Sequence, residues 1–269
     1  METKTAGEAP VKERPILFSA PMVRAILEGR KTQTRRVVKP SKAHADGIIM
    51  LDHGRGWWPF NMFGDSESDR GMEYPIYCPY GFTGDRMWVR ETWADANSDD
   101  GPCILYKADH NRRYLMHEDH FLMEDPRGRN GESFDYSKTG KARFSGWAGD
   151  IEGRGKGYKP SIHMPRWASR IDLEITAVRV ERLKDVSEGD AKAEGVERHP
   201  KEDGWLPYGP TLMEYLDGIP YGHYEFAKHS FASLWRAING AESWDANPWV
   251  WVVEFKRVEA EGVNPSNRA

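Results

Sequence analysis

The sequence predicts an α+β protein: a small, bent, mixed barrel carrying two long insertions. Three observations lead there. Helical punctuation is confined to a few short segments, several short apolar runs alternate as strands do, and one strand changes the parity of its apolar side midway.

Taken in order, residues 1–14 read as a flexible polar leader, and Ile16, Leu17 and Phe18 as a short strand. A helix over 21–28 follows. Pro21 suits a first helical position, Met22, Val23, Ile26 and Leu27 share one side, and Gly29 is the stop. Residues 39–79 are turn-rich, broken by Gly54, Gly56, Pro59, Gly64 and Gly71. The Gly84-Asp85 turn leads into one alternating strand over 87–93, with Met87, Val89, Glu91 and Trp93 on one face. Residues 94–165 form a second long polar stretch ending near the flexible basic piece GRGKG at 153–157. Order returns at Arg170. Ile171, Leu173 and Ile175 alternate on one face, whereas Val178 and Val180 have the opposite parity, as at a bulge or barrel corner. Ser187 and Asp190 form a capping box for a short helix that runs to Glu194 and stops at Gly195. Residues 197–222 read as loop. A helix over 230–238 places Phe231, Leu234, Trp235 and Ile238 on one face and stops at Gly240. A strongly apolar strand over 249–258 closes the series, with Trp249, Trp251, Val253 and Phe255 sharing a side. This organisation gives one domain over 15–260, with insertions at about 40–80 and 94–165 and a flexible tail over 261–269.

Composition narrows the class. The chain has 269 residues, is 39% hydrophobic and carries a net charge of −4, while a mean hydropathy of −0.74 implies long polar connections. No apolar run approaches the ~20 residues needed to cross a bilayer, and residues 1–14 lack a signal-peptide core, so a cytosolic protein is expected. Cys78 and Cys103 are too far apart for a CxxC metal or redox motif, and both are expected reduced. The eleven tryptophans, among them Trp57, Trp58, Trp88, Trp93, Trp147 and Trp167, often stand beside basic or turn residues. They suit a base-stacking surface; they equally suit the interior of a small barrel, which is the favoured reading.

The most informative segment is 29–36, GRKTQTRR, which packs four cations and two hydroxyls into eight residues of an acidic chain. It leaves a fixed helix end and reads as the mouth of an anion- or nucleotide-facing site. In an extended strand Lys31, Gln33 and Arg35 share one face, and Thr34 faces the other way unless the chain is still turning at Lys31. A solvated basic strand edge is the plainer alternative.

Strand, short helix, GRKTQTRR, Gly84-Asp85 turn, the helix ending at Glu194 and the final strand together resemble the ASCH domain. The longer blocks CPYGFTGDRMWVRETW and NPWVWVVEFKRV are similar to its phage and prophage branch. The resemblance covers about 16–38, 81–93, 170–196 and 231–258; the two insertions have no counterpart in the minimal domain. It implies a PUA-like pseudo-barrel with short helices at its rim. The smallest members include an amidohydrolase that releases the acetyl group of N4-acetylcytidine with a threonine nucleophile, a lysine base and a glutamate acid, from a GRKTxTxR motif. Here those positions fall on Lys31 and Thr34, with Arg36 in the motif's last position, and, through the helix context, on Glu194. Other members bind RNA, and one cleaves it. The resemblance therefore implies a modified nucleoside or RNA as the partner.

The chemistry has an argument of its own. Amide hydrolysis by a threonine needs a proton acceptor, an oxyanion stabiliser and an acid for the leaving amine. A free lysine, pKa ~10.4, is a poor base at neutral pH, but burial and the nearby Arg30, Arg35 and Arg36 would lower that value. Arg36 could steady an oxyanion or a phosphate. Glu194 stands in the last turn of its helix, where unpaired carbonyls disfavour negative charge, while pairing with Lys31 would hold it charged.

Weaker candidates remain. Trp88, Trp93 and Tyr80 could wall a base pocket, and the RGRNG and GRGKG pieces could meet phosphates. His110, His117 and His120, with Asp109 and Asp119, form a possible metal cluster without a metal-site signature. No cofactor is expected, since the chain has no P-loop, dinucleotide fingerprint or GxSxG elbow. Two functions stand: a hydrolase for an acylated amine of a modified nucleoside, and a non-catalytic RNA- or nucleotide-binding module, with an RNA-cleaving protein as a third.

Overall fold

In a computed structural model of the chain, residues 11–42, 45–52, 57–64, 74–115, 144, 146–209, 215–216, 219–220 and 222–258 are described. In chain order they form β1 (Glu13–Leu17), α1 (Ala20–Leu27), β2 (Gln33–Val37), β3 (Gly47–Asp52), β4 (Trp57–Met62) and β5 (Arg86–Arg90). Next come β6 (Trp93–Ser98), β7 (Gly101–Tyr106), β8 (Arg112–Tyr114), β9 (Gly146–Trp147) and α2 (Ala148–Arg154). The series ends with β10 (Asp172–Arg182), α3 (Glu188–Ala193), β11 (Tyr215–Leu216), β12 (Ile219–Pro220), α4 (Ala227–Asn239) and β13 (Trp249–Val258). The fold class is α+β. The largest sheet has the order β1-β5-β10-β13-β2, and no sheet closes on itself among the described residues. The expected barrel is thus corrected to open sheets, because the five-strand order begins and ends on strands with a single neighbour.

The chain divides into two compact units. The first takes residues up to Arg24, Thr83–Ile175 and the segment from Lys256; the second takes Ala25–Phe82 and Thr176–Phe255. β10 runs from one into the other at Ile175/Thr176, which is where the apolar parity of the sequence changes.

In the first unit, β1 runs parallel to β5, and β5 pairs antiparallel with the start of β10. The single strand expected over 87–93 is two strands. At Glu91-Thr92 the chain exchanges partners: β5 serves β1 and β10, whereas β6 pairs with β7 and β9. Glu91 is buried at that junction and accepts from Arg170 Nε at 2.8 Å and Nη2 at 2.9 Å. The stretch 94–165, expected to be polar and irregular, contains the sheet β8-β7-β6-β9 and α2. Its core strand escapes a periodicity reading because both faces are buried. Ile104 and Tyr106 pack with Trp93 and Met164, and Cys103 and Leu105 pack with Ala94 and Ala148. Both cysteines are free and buried.

In the second unit, β3 and β4 form a hairpin inside the stretch read as irregular; its six register pairs give local order that the scattered glycines conceal. β2 pairs antiparallel with β13, Arg35 opposite Val252 and Thr34 opposite Val253. α4 starts earlier than expected, at Ala227, and buries Ala227, Phe231 and Trp235 with Trp205, Trp244, Val250 and Val252. Ile238, expected on that face, is 51% exposed. Among the described residues no helix is long and apolar enough to cross a membrane.

Candidate active site

Two helix ends position Lys31. Gly29 adopts φ +74°, and the backbone N–H groups of Arg30 and Lys31 both donate to the Ala25 carbonyl, at 2.9 and 3.0 Å. This satisfies carbonyl valence that the end of α1 would leave open. The Thr32 N–H then donates to the Ala193 carbonyl at 2.9 Å, and Lys31 forms an antiparallel bridge with Glu194. α3 is delimited by its own caps. Ser187 Oγ accepts the Asp190 N–H at 3.0 Å, completing the predicted capping box, and Gly195 turns at φ +86°. A Cβ on Gly195 would stand 2.8 Å from Lys31 Cβ and 2.9 Å from Ala25 Cβ. Glycine is therefore required there for both conformation and contact.

These turns bring together three side chains that the sequence singles out. Lys31 Nζ donates to Glu194 Oε2 at 2.8 Å and to the Glu194 carbonyl at 2.9 Å, while Arg35 Nη1 donates to Glu194 Oε1 at 3.0 Å. The Lys31 and Arg35 side chains are 0% exposed and that of Glu194 is 4% exposed. Each Glu194 carboxylate oxygen thus accepts from a different cation. Arg35 also reaches Glu181 Oε1 at 2.5 Å and Asp190 Oδ2 at 3.5 Å, and its guanidinium carbon lies 5.8 Å from the centre of the Phe231 ring. Arg179 joins the same network, with Nε on Glu181 at 3.1 Å, Nη2 on Asp190 at 2.8 Å, and Nη1 on Glu254.

Gln33 Nε2 donates to the Asp190 carbonyl at 3.0 Å, so Lys31, Gln33 and Arg35 all reach α3, as strand alternation requires. The same alternation puts Thr34 and Arg36 on the other face of β2. Thr34 is 1% exposed there, opposite Val253, and Arg36 is opposite Trp251, whose ring meets Trp58 edge-on at 5.2 Å. Arg30 donates to Glu28 Oε2 at 2.7 Å and to the Gly195 carbonyl at 2.8 Å, and stands 3.6 Å from Glu197.

Burial is the main influence on Lys31 and drives its pKa down. The Glu194 charge and hydrogen bond oppose that, and the charges of Arg36 and Arg35 add to the lowering. Lys31 thus feels Arg36, which lies on the Thr34 side of the strand. At Asp190, burial acts upward, but the Ser187 hydrogen bond and the charges of Arg35 and Arg179 hold the carboxyl below its ordinary range. A lysine of lowered basicity hydrogen-bonded to a fixed carboxylate can pass a proton within a dry site.

Trp88 and Trp93 lie in the first unit. Both are buried; Trp88 packs beneath the Arg90 and Arg166 guanidiniums, and Trp93 meets Trp167 edge-on at 5.8 Å. His110 is exposed with φ +57°, Asp109 pairs with Arg170, and His117, Asp119 and His120 lie outside the described residues. Among the described residues no group of three or more potential ligands could hold a metal ion. Arg179, Glu181 and Glu254 were not singled out from the sequence. Their signal was present in the alternation of Arg179 and Glu181 on the face opposite Val178 and Val180. No family model, curated protein or solved structure matches this chain.

Proposed function

We propose that the chain is an ASCH, PUA-like protein that hydrolyses the acyl–amine bond of a modified nucleoside of the N4-acylcytidine type. The observation that carries this reading is the buried 2.8 Å contact between Lys31 and Glu194, three residues from Thr34, with the lysine held below its ordinary pKa. The reaction requires the Thr34 hydroxyl, which strand alternation sets on the face opposite Lys31, to be brought within hydrogen-bond reach of neutral Lys31 Nζ. The lysine takes its proton while the hydroxyl oxygen adds to the acyl carbon. Collapse of the tetrahedral intermediate breaks the carbon–nitrogen bond. The departing amine takes its proton from the Lys31–Glu194 pair, returning the lysine to its neutral form. Water then hydrolyses the threonine ester, releasing the acid.

The cation pattern favours this proton chemistry over phosphate binding at the same residues. Arg30, Lys31 and Arg35 are each engaged by carboxylates, from Glu28 and Glu197, from Glu194, and from Glu181, Asp190 and Glu194. A bound phosphate would compete with those anions.

The test is cytidine release from N4-acetylcytidine, followed by chromatography. Thr34→Val, which keeps the shape of the side chain and removes its hydroxyl, should abolish release, while Thr34→Ser should retain part of it. Equal turnover by wild type and Thr34→Val would refute the nucleophile. Absence of release by the wild-type protein would exclude N4-acetylcytidine as the substrate and leave a different acyl group or a binding role.

A further inference from the structure

A second, separate site is suggested by a cavity of about 360 Å³ in the second unit, beside the first turns of α4. It is lined by Lys184, Lys228, Arg236, His229, Tyr224, Trp244 and Ala232. The size falls in the range of small-ligand sites, roughly 300–1,000 Å³. Its charge is one-sided in a chain whose net charge is −4. Lys184 and Arg236 share the single carboxylate Asp245, at 3.3 and 3.7 Å, with both cation side chains 40% exposed. Lys228 makes no ion pair among the described residues. A cluster with more cations than carboxylates, over a low-dielectric wall, concentrates anions.

The remaining wall is aromatic. Trp244 is buried with the Arg236 guanidinium 5.7 Å from its ring centre, and Tyr224 and His229 meet edge-to-face at 6.1 Å. Phe226, 48% exposed, stands edge-on to His229 at 5.8 Å and extends that surface outward. The first amides of α4 do not contribute, because Ala227 and Lys228 N–H already donate to the Glu188 carboxylate at 2.8 and 3.0 Å. Any anion here is held by side chains. We infer that this cavity binds the phosphate group of a nucleotide, with Lys184, Lys228 and Arg236 on the phosphate and the Tyr224–His229 surface against the base. The phosphate can belong to a free nucleotide or to a single-stranded RNA, and the chemistry of recognition is the same.

Titration calorimetry with cytidine 5′-monophosphate, and separately with cytidine, tests this on the full chain. The monophosphate should bind at least about tenfold more tightly than cytidine, a difference of ~1.4 kcal/mol. Lys228→Glu and Lys184→Glu, both at partly exposed positions, should each weaken the monophosphate at least about tenfold. Lys256→Glu, outside the cavity, should leave it unchanged. Equal binding of cytidine and its monophosphate would overturn the site. So would binding lost in Lys31→Met but kept in Lys228→Glu, which would assign the phosphate to the other site. A fluorescent single-stranded RNA then distinguishes the sources. Displacement of bound RNA by the monophosphate, together with loss in Lys228→Glu, identifies the polymer; monophosphate binding without RNA binding identifies the free nucleotide.

Discussion

Substituting alanine at Gly195 tests the packing that creates the candidate site, and Gly29 provides its internal reference. Both glycines have positive φ, +86° and +74°. Alanine in the left-handed region costs roughly 1–2 kcal/mol at either position. At Gly29 an added Cβ meets nothing within 4 Å, so conformational strain is the whole effect. At Gly195 the new methyl would stand 2.8 Å from Lys31 Cβ and 2.9 Å from Ala25 Cβ. Neither neighbour can swing aside, since each Cβ is fixed to its backbone. That backbone is itself tied, Lys31 N–H to Ala25 O at 3.0 Å and Thr32 N–H to Ala193 O at 2.9 Å. Overpacking of this kind adds about 1–3 kcal/mol. Gly195→Ala should therefore be destabilised by about 2–5 kcal/mol in all, and Gly29→Ala by only about 1–2 kcal/mol. Urea unfolding followed by tryptophan fluorescence reads the difference as a midpoint lower by roughly 0.5–1 M in Gly195→Ala. Cytidine release should fall with it, because Glu194 adjoins the displaced residue. Equal midpoints for the two variants would refute the close packing of the α3 turn on Lys31.

Two further outcomes follow from the buried charges. Glu194→Gln removes the anion shared by Lys31 and Arg35, and breaking such a pair costs about 3–5 kcal/mol. Its kcat on N4-acetylcytidine should drop at least ~100-fold, with the acidic limb of the pH–rate profile moved to lower pH, because Glu194 is what holds the Lys31 pKa up against burial; an unchanged acidic limb would separate Lys31 from the reaction. The lowered Lys31 pKa also fixes the sign of a stability change. Between the folded value and the ordinary 10.5 the unfolded chain holds the extra proton, so unfolding takes one up and stability rises with pH across that window. The stability of wild type minus that of Lys31→Met should climb as pH approaches 10.5, and a difference that falls instead would contradict the lowering.

The parts of this fold legible in the sequence are those whose cause lies within a few residues. The Ser187–Asp190 box is recognisable because a cap acts over three positions, and the stops at Gly29, Gly195 and Gly240 because a helix that ends in a positive-φ turn favours glycine. The last strand is legible for a related reason, as Val250, Trp251, Val252 and Val253 form an uninterrupted apolar run. Where both faces of a strand are buried, as at Cys103, Ile104, Leu105 and Tyr106, periodicity carries no signal. Where a strand changes partners without changing its alternation, as at Glu91, the sequence reads as continuous.

The sequence by itself determined the α+β class, the glycine stops of three helices, and the sharing of one strand face by Lys31, Gln33 and Arg35. Only the tertiary structure decided what that face meets. Glu194 lies 163 residues from Lys31 and 159 from Arg35, yet its two oxygens separate into one contact with each. Glu181, Asp190 and Arg179 complete a charge network that no local pattern specifies. The reason is physical. Caps and alternation are set by bond geometry over a few residues, whereas the partner of a buried charge is set by which distant segment the core brings beside it. In a dry interior that charge must be paired, so the strong interactions at this site are those the local sequence constrains least.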